Sequence, residues 1–157
     1  MIEIERKFLV TSQQFKAEAI RKTHIKQGFL NTDKARTVRV RLKGDSGFIT
    51  VKGPSTDGGL SRFEWEKEIS KADAEALLQV CETGMIDKMR YEIEVGNHLF
   101  EVDEFFGDNT GLTVAEVELS HPTEIFKKPT WLGEEVTGDA KYYNSQLSKS
   151  PFKNWDL

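Results

Sequence analysis

Apolar and polar residues alternate with a period of two from the start of this chain, where Ile2, Ile4, Phe8 and Val10 interleave with Glu3, Glu5 and Lys7. Successive side chains of a β-strand point to opposite faces, so the alternation predicts a strand with one apolar and one charged face. The pattern recurs five more times. Val38, Val40 and Leu42 alternate with Arg39, Arg41 and Lys43, and Phe63 and Trp65 with Arg62, Glu64, Glu66 and Glu68. Met89, Tyr91, Ile93 and Val95 alternate with Lys88, Arg90, Glu92 and Glu94, Phe100 and Val102 with Glu101 and Asp103, and Ala115, Val117 and Leu119 with Glu116 and Glu118.

A sandwich with its charged faces in water explains alternation alone. It does not explain why basic residues collect in some rows and acidic residues in others. Two carboxylates a few ångströms apart repel each other and stay together with a shared proton, a cationic neighbour or a divalent metal between them. Three cations on one strand face ask for an anion. The sorting suggests a charged surface built to receive something, against the plainer reading of solvated edge strands.

Further strands are expected near residues 24–30 and 48–53, with a hairpin turn at 44–47 and another at Gly96 and Asn97. Thr11 and Gln14 have capping-box spacing, which predicts a helix through Lys22 that buries Phe15, Ala19 and Ile20. Ser70 and Asp73 repeat the signal for a helix to about Thr83 that buries Ala76, Leu77, Val80 and Cys81 and stops at Gly84. Pro122 fits the start of a short helix ended by Pro129, and Asp139 can cap a last helix bearing Tyr142, Tyr143 and Leu147. Trp131, Trp155 and the tyrosines read as packing residues. The glycine-rich loop at 53–59 lacks the Gly-Lys-Ser/Thr ending and following helix of a phosphate-binding loop.

About eight mostly antiparallel strands can remove their exposed edges by closing into a barrel. With the apolar faces outward the helices cover them and the charged faces line a tunnel. The opposite choice leaves the helices' apolar stripes without a partner. The expected fold is therefore α+β, mainly β: a closed eight-stranded antiparallel barrel with a polar interior and helices packed outside.

At 157 residues the chain is read as a single domain, 1–157. Charges at Glu3, Glu5, Arg6 and Lys7 exclude a secretory apolar region at the start, and no apolar run approaches a membrane span, so a soluble cytoplasmic protein is expected. Cys81 is the sole cysteine, and the three histidines lack zinc-type spacing. A net charge of -4 weighs against a general nucleic-acid binder while leaving room for a local basic pocket.

The runs Glu3-Ile4-Glu5-Arg6-Lys7, Val38-Arg39-Val40-Arg41, Thr50-Val51-Lys52-Gly53, Arg62-Phe63-Glu64-Trp65-Glu66, Lys88-Met89-Arg90-Tyr91, Phe100-Glu101-Val102-Asp103, Ala115-Glu116-Val117-Glu118-Leu119 and Glu135-Val136-Thr137 resemble, in order, the motif series of the CYTH superfamily of triphosphate tunnel metalloenzymes. The resemblance implies an eight-stranded tunnel that binds a triphosphate with Mg2+ or Mn2+. Its members hydrolyse inorganic tripolyphosphate, nucleoside triphosphates or thiamine triphosphate, and one branch makes cyclic AMP. Arg39, Arg41, Lys52, Arg62, Lys88 and Arg90 would then hold the phosphates, and Glu3, Glu5, Glu116 and Glu118 the divalent ions. Glu64 and Glu66 either join the metal set or orient the arginines. Lys7 would stabilise developing charge or help place the attacking water, which the metal activates. The implied partner is a small-molecule triphosphate, with homodimerisation left open. A metal-dependent triphosphatase is the leading reading; a CYTH-type adenylate cyclase and a non-catalytic polyphosphate or nucleotide binding module are the alternatives. One departure bears on the chemistry: short bacterial members read Gln-Gly-Tyr-Leu on the second strand, and this chain reads Gln27-Gly28-Phe29-Leu30. Phe29 cannot donate a proton or hydrogen bond, which leaves open metal-dominated hydrolysis, another substrate or weak activity.

Overall fold

In the computed structural model, which describes residues 2–156, the alternating segments form nine strands. They are β1 (Ile2–Val10), β2 (Arg21–Asn31), β3 (Thr37–Lys43), β4 (Ser46–Thr56), β5 (Ser61–Ile69), β6 (Ile86–Val95), β7 (His98–Phe105), β8 (Thr113–Glu118) and β9 (Leu132–Glu135). Eight of them follow one another as β5-β4-β3-β2-β6-β7-β8-β1, and antiparallel pairing of β1 with β5 closes the ring. The closing seam is short: Ile2, Ile4 and the intervening Glu3 face Phe63, Ser61 and Arg62. Beyond it β9 pairs with the far end of β1, at Phe8 and Val10. The expected turns are two residues long, Gly44-Asp45 and Gly96-Asn97, with each glycine at positive φ as such hairpins require.

Two apolar clusters cover the outside of the barrel. Phe8, Tyr91, Ile93, Phe100, Val102, Ala115 and Val117 pack beneath Phe15, Phe126 and Trp131. Val40 packs beneath Ala74 and Leu78 of α2 (Lys71–Leu78), whose N-cap Ser70 Oγ accepts from the Asp73 amide at 3.0 Å. A Cβ added to Gly47 would lie 2.7 Å from that of Ala74, so a glycine lets this helix rest on β4. Among the described residues no α-helix covers the sector around β5, where Ile2 is 64% exposed, Phe63 43% and Trp65 39%.

A third cluster lies inside. Along β1, β2, β6, β7 and β8 the charged face turns apolar at one end, at Leu9, Phe29, Ile86, Phe105 and Val114. Val136, Tyr142 and Leu147 from the C-terminal segment pack against them. One end of the bore is therefore closed by an apolar plug, a change of character that period-two alternation does not reveal.

The helix expectations need correction. α1 is one turn, Phe15–Glu18, because Arg21 is drawn into β2 opposite Glu92, and Ile20 is left 57% exposed. α2 ends at Leu78 and turns Ala74, Leu77 and Leu78 inward; Ala76 and Val80 face solvent, and Cys81 lies beyond the helix, half-buried. The segment after Pro122 forms a turn rather than a helix, closed by the Glu124 amide donating to the His121 carbonyl. Asp139 does cap, accepting from the Lys141 amide at the head of a 3-10 turn (Ala140–Tyr142) that leads into α3 (Asn144–Leu147). Among the described residues no helix is long and apolar enough to cross a membrane.

Candidate active site

Strand parity carries the charged rows into the bore, where they enclose a cavity of about 210 Å³. Every site residue expected from the sequence lines it: Lys7; the cations Arg39, Arg41, Lys52, Arg62, Lys88 and Arg90; and the carboxylates Glu3, Glu5, Glu64, Glu66, Glu116 and Glu118. Their arrangement follows from strand order. β8 and β1 are neighbours and bring Glu116 and Glu118 beside Glu3 and Glu5, whereas β3, bearing Arg39, Arg41 and Lys43, stands halfway around the ring from β8. An acidic wall faces a basic wall.

On the basic side, Glu66 gathers the arginines. Its Oε2 accepts from the Thr50 hydroxyl at 2.7 Å and lies 3.4 Å from both Arg39 Nη2 and Arg41 Nη2. Arg39 Nη2 also donates to Thr50 Oγ1 at 3.1 Å. Burial, with Arg39 and Arg90 nearby, pulls the Arg41 pKa below its ordinary value, so this wall is short of negative charge. Arg39, Arg41 and Arg62 each keep a buried Nε without a partner among the described residues, and a buried donor left unmatched is costly. Deeper in the bore, Asp103 takes both Arg90 and Lys88, and burial still brings Lys88 down to about 8. Asn144 Oδ1 accepts from Lys88 Nζ and from Gln27 Nε2, each at 2.9 Å, which ties the C-terminal segment to the barrel floor.

On the acidic side, like charges meet in register. Glu5 stands opposite Glu118, and Glu116 opposite Lys7 on one flank and Glu101 on the other. Carboxylates so placed destabilise a sheet unless a proton or cation intervenes. Burial, then Glu116 and Glu3, push the Glu5 carboxyl well above the usual range. Burial opposes ionisation of Glu116, yet Lys7 and Arg90 hold it down to about 2, helped by a hydrogen bond with Glu5. Lys7 Nζ lies 3.6 Å from Glu116 Oε1, and Lys52 Nζ lies 2.9 Å from Glu3 Oε1 and 3.3 Å from Glu64 Oε2. The donor set consists of hard oxygen ligands suited to Mg2+ or Mn2+. Among the described residues no three carboxylate, histidine or cysteine groups are already gathered into a cage, and Lys52 bridges Glu3 and Glu64.

Several lining residues were missing from the sequence expectation. Lys43 and Glu101 share the parity of their charged rows, so that signal was available. Thr37 starts β3, and Tyr143, Asn144 and Ser145 enter from the C-terminal turn, where tertiary docking alone decides what faces the bore. Tyr143 is thus a lining residue and not packing, unlike the plug residue Tyr142 and the core residue Trp131.

A closed antiparallel barrel whose blind bore sets a basic wall against an acidic one is a tunnel for a compact polyanion and its counter-cations. The chain belongs to the CYTH family, whose domain matches residues 1–151. It is 46% identical over 154 residues to a protein of Acetivibrio thermocellus named inorganic triphosphatase, with 98% of this chain and 97% of the relative covered. A Nitrosomonas europaea protein of the same name is 37% identical over 154 residues, with 96% and 99% covered. The crystal structure of the inorganic triphosphatase NE1496 superposes with a TM-score of 0.66 at 34% identity, covering 93% of this chain and 97% of that one.

Proposed function

We propose that this chain is a cytoplasmic, single-domain hydrolase of inorganic triphosphate, dependent on Mg2+ or Mn2+. The observation that carries the reading is the opposition of two walls of contrary charge within one blind bore, the basic one with surplus buried donors. The two relatives named inorganic triphosphatase, matched over almost their whole length, support it.

Arg39, Arg41, Lys52, Arg62, Lys88 and Arg90 hold the phosphate oxygens. A fixed array of donors is what a dry site needs in order to replace the water around so dense a negative charge. Glu66 orients Arg39 and Arg41, and Asp103 keeps Lys88 and Arg90 charged and in place. Glu3, Glu5, Glu116 and Glu118 would hold the divalent cation, and Glu64 keeps Lys52 between the two sets. When bound, such a cation supplies Lewis-acid activation of the phosphoryl group and of the attacking water. Lys7, buried and held charged by Glu116 and Glu5 against the cost of its burial, meets the charge that develops on the phosphoryl group under attack.

The test is to incubate the purified protein with tripolyphosphate, ATP and thiamine triphosphate, each with Mg2+ or Mn2+, and to follow both phosphate and cyclic AMP. Phosphate release greatest from tripolyphosphate is the expected result. Cyclic AMP as the main product from ATP, or binding of triphosphate without any turnover, would replace this reading with one of the two alternatives.

A further inference from the structure

Tyr143 reaches the bore from the turn before α3, and its main chain is anchored on both sides. Its carbonyl accepts from the Gln146 and Leu147 amides at 2.9 Å each. Asn144, the next residue, is held by Lys88 and Gln27. Further back, the Val136 amide donates to the Lys7 carbonyl at 2.8 Å and the Lys7 amide donates to Thr137 Oγ1 at 2.9 Å. The backbone of Lys7 and the segment that carries Tyr143 are therefore clamped together.

The side chain is held just as closely. Lys7 Nζ lies 5.0 Å from the Tyr143 ring centroid, a cation over an aromatic ring. At the other end of the ring, Gly59 and Gly138 pass each other at a distance only glycines allow. A Cβ on Gly59 would come within 2.4 Å of Gly138 Cα and 3.0 Å of the Tyr143 hydroxyl, and the two residues have φ of +92° and +81°. The glycine-rich loop that is no phosphate-binding loop thus helps to seat a phenol.

The hydroxyl makes no hydrogen bond to the described residues, and the side chain lines the charged bore, a small pocket beside it and a cavity of roughly 510 Å³ between the C-terminal segment and residues 33–35, 54 and 55. A residue needed only to close the floor would need the ring alone. Phe29, on the face of β2 that lines the same bore, offers no donor. We propose that Tyr143 is a catalytic residue of the triphosphatase described above, on which this inference rests. Its hydroxyl donates a hydrogen bond to a phosphoryl oxygen of the triphosphate beside Lys7. The proton stays on the phenol, and the bond strengthens as charge builds on that oxygen.

Wild type, Tyr143→Phe and Lys7→Ala are compared on tripolyphosphate with saturating Mn2+, with a melting curve for each. Phenylalanine keeps the ring under Lys7 and against the glycine seam, so Tyr143→Phe is expected to melt with wild type. Its kcat is expected to fall about 10- to 100-fold with KM changed less than about threefold, the mark of a contact stronger in the transition state than in the ground state. Unchanged kcat in Tyr143→Phe would overturn the proposal, as would a loss matched by a lower melting temperature, which would make the hydroxyl structural. A wild type inactive on every triphosphate would instead remove the hydrolase reading, and this inference with it.

Discussion

Asp103 grips Arg90 through two parallel hydrogen bonds, Nε to Oδ1 at 2.8 Å and Nη2 to Oδ2 at 2.9 Å, while Lys88 Nζ lies 2.8 Å from the same Oδ2. One carboxylate thus serves two buried cations, and Glu101 Oε2, 3.3 Å from Arg90 Nη1, is the second counter-charge of the group. Asp103→Asn takes the shared counter-charge from both cations and leaves Arg90 with that of Glu101. Removing one member of a buried ion pair typically costs about 3 to 5 kcal/mol, so urea unfolding of this variant should fall by that order. Added tripolyphosphate should recover more stability in the variant than in wild type. Equal stability of the two proteins would show that the pair is not needed to hold the basic wall.

Lys88 makes a prediction in pH. Burial sets its pKa at about 8, below the ordinary lysine value, despite the pull of Asp103. Below pH 8 folded and unfolded chains both carry the proton. Between that point and the ordinary lysine value the unfolded chain binds more protons, so this group's contribution to stability rises with pH. Triphosphate binding has the opposite sign, because the anion needs the ammonium and loses it above pH 8. Stability and kcat/KM should therefore diverge above pH 8 in wild type, and Lys88→Met should lack both slopes. Parallel slopes in wild type and variant would assign the titration to another group.

The acidic wall predicts a separation of activity from stability. Glu118 stands opposite Glu5, and burial, then Glu3 and Glu101, raise its pKa. Chelation should abolish turnover, and Glu118→Gln should lower it more than about 100-fold by weakening the cation site. Without metal the same change removes a repulsion, so the variant should be as stable as wild type or more stable, by roughly 0.2 to 1 kcal/mol. Added Mn2+ should then stabilise wild type more than the variant, which calorimetry can measure. Full turnover in excess chelator would point to a chemistry carried by Lys7 and the arginines alone.

Parity explains why so much of this site was legible in advance. Once β1 is a strand, Glu3, Glu5 and Lys7 share a face, and a closed barrel leaves that face only one place to go. The same rule holds for Arg39 and Arg41, and for Glu116 and Glu118, because each row is written within one strand. Where local order gave way, long-range contacts decided. The helix expected through Lys22 yields to the pairing of Arg21 with Glu92, 71 residues away. α2 turns toward β4 at Ala74, because Gly47 leaves room for it there and not at Ala76. Tyr143 and Asn144 follow no period, and only docking of the C-terminal segment on Lys88, Gln27 and Lys7 carries them into the bore.

Phe29 separates the two sources of a phenol. It is 4% exposed, pairs in register with Arg39 and belongs to the apolar plug while touching the bore. A hydroxyl added there enters a cavity that Tyr143 already supplies with one, at nearly constant volume. In the wild-type background Phe29→Tyr should therefore change tripolyphosphate turnover less than about threefold. In the Tyr143→Phe background the same substitution restores a donor to the bore, and kcat should rise about tenfold or more. A large gain in the wild-type background would mean that the hydroxyl of Tyr143 is not used and that the second strand is where this barrel wants its phenol.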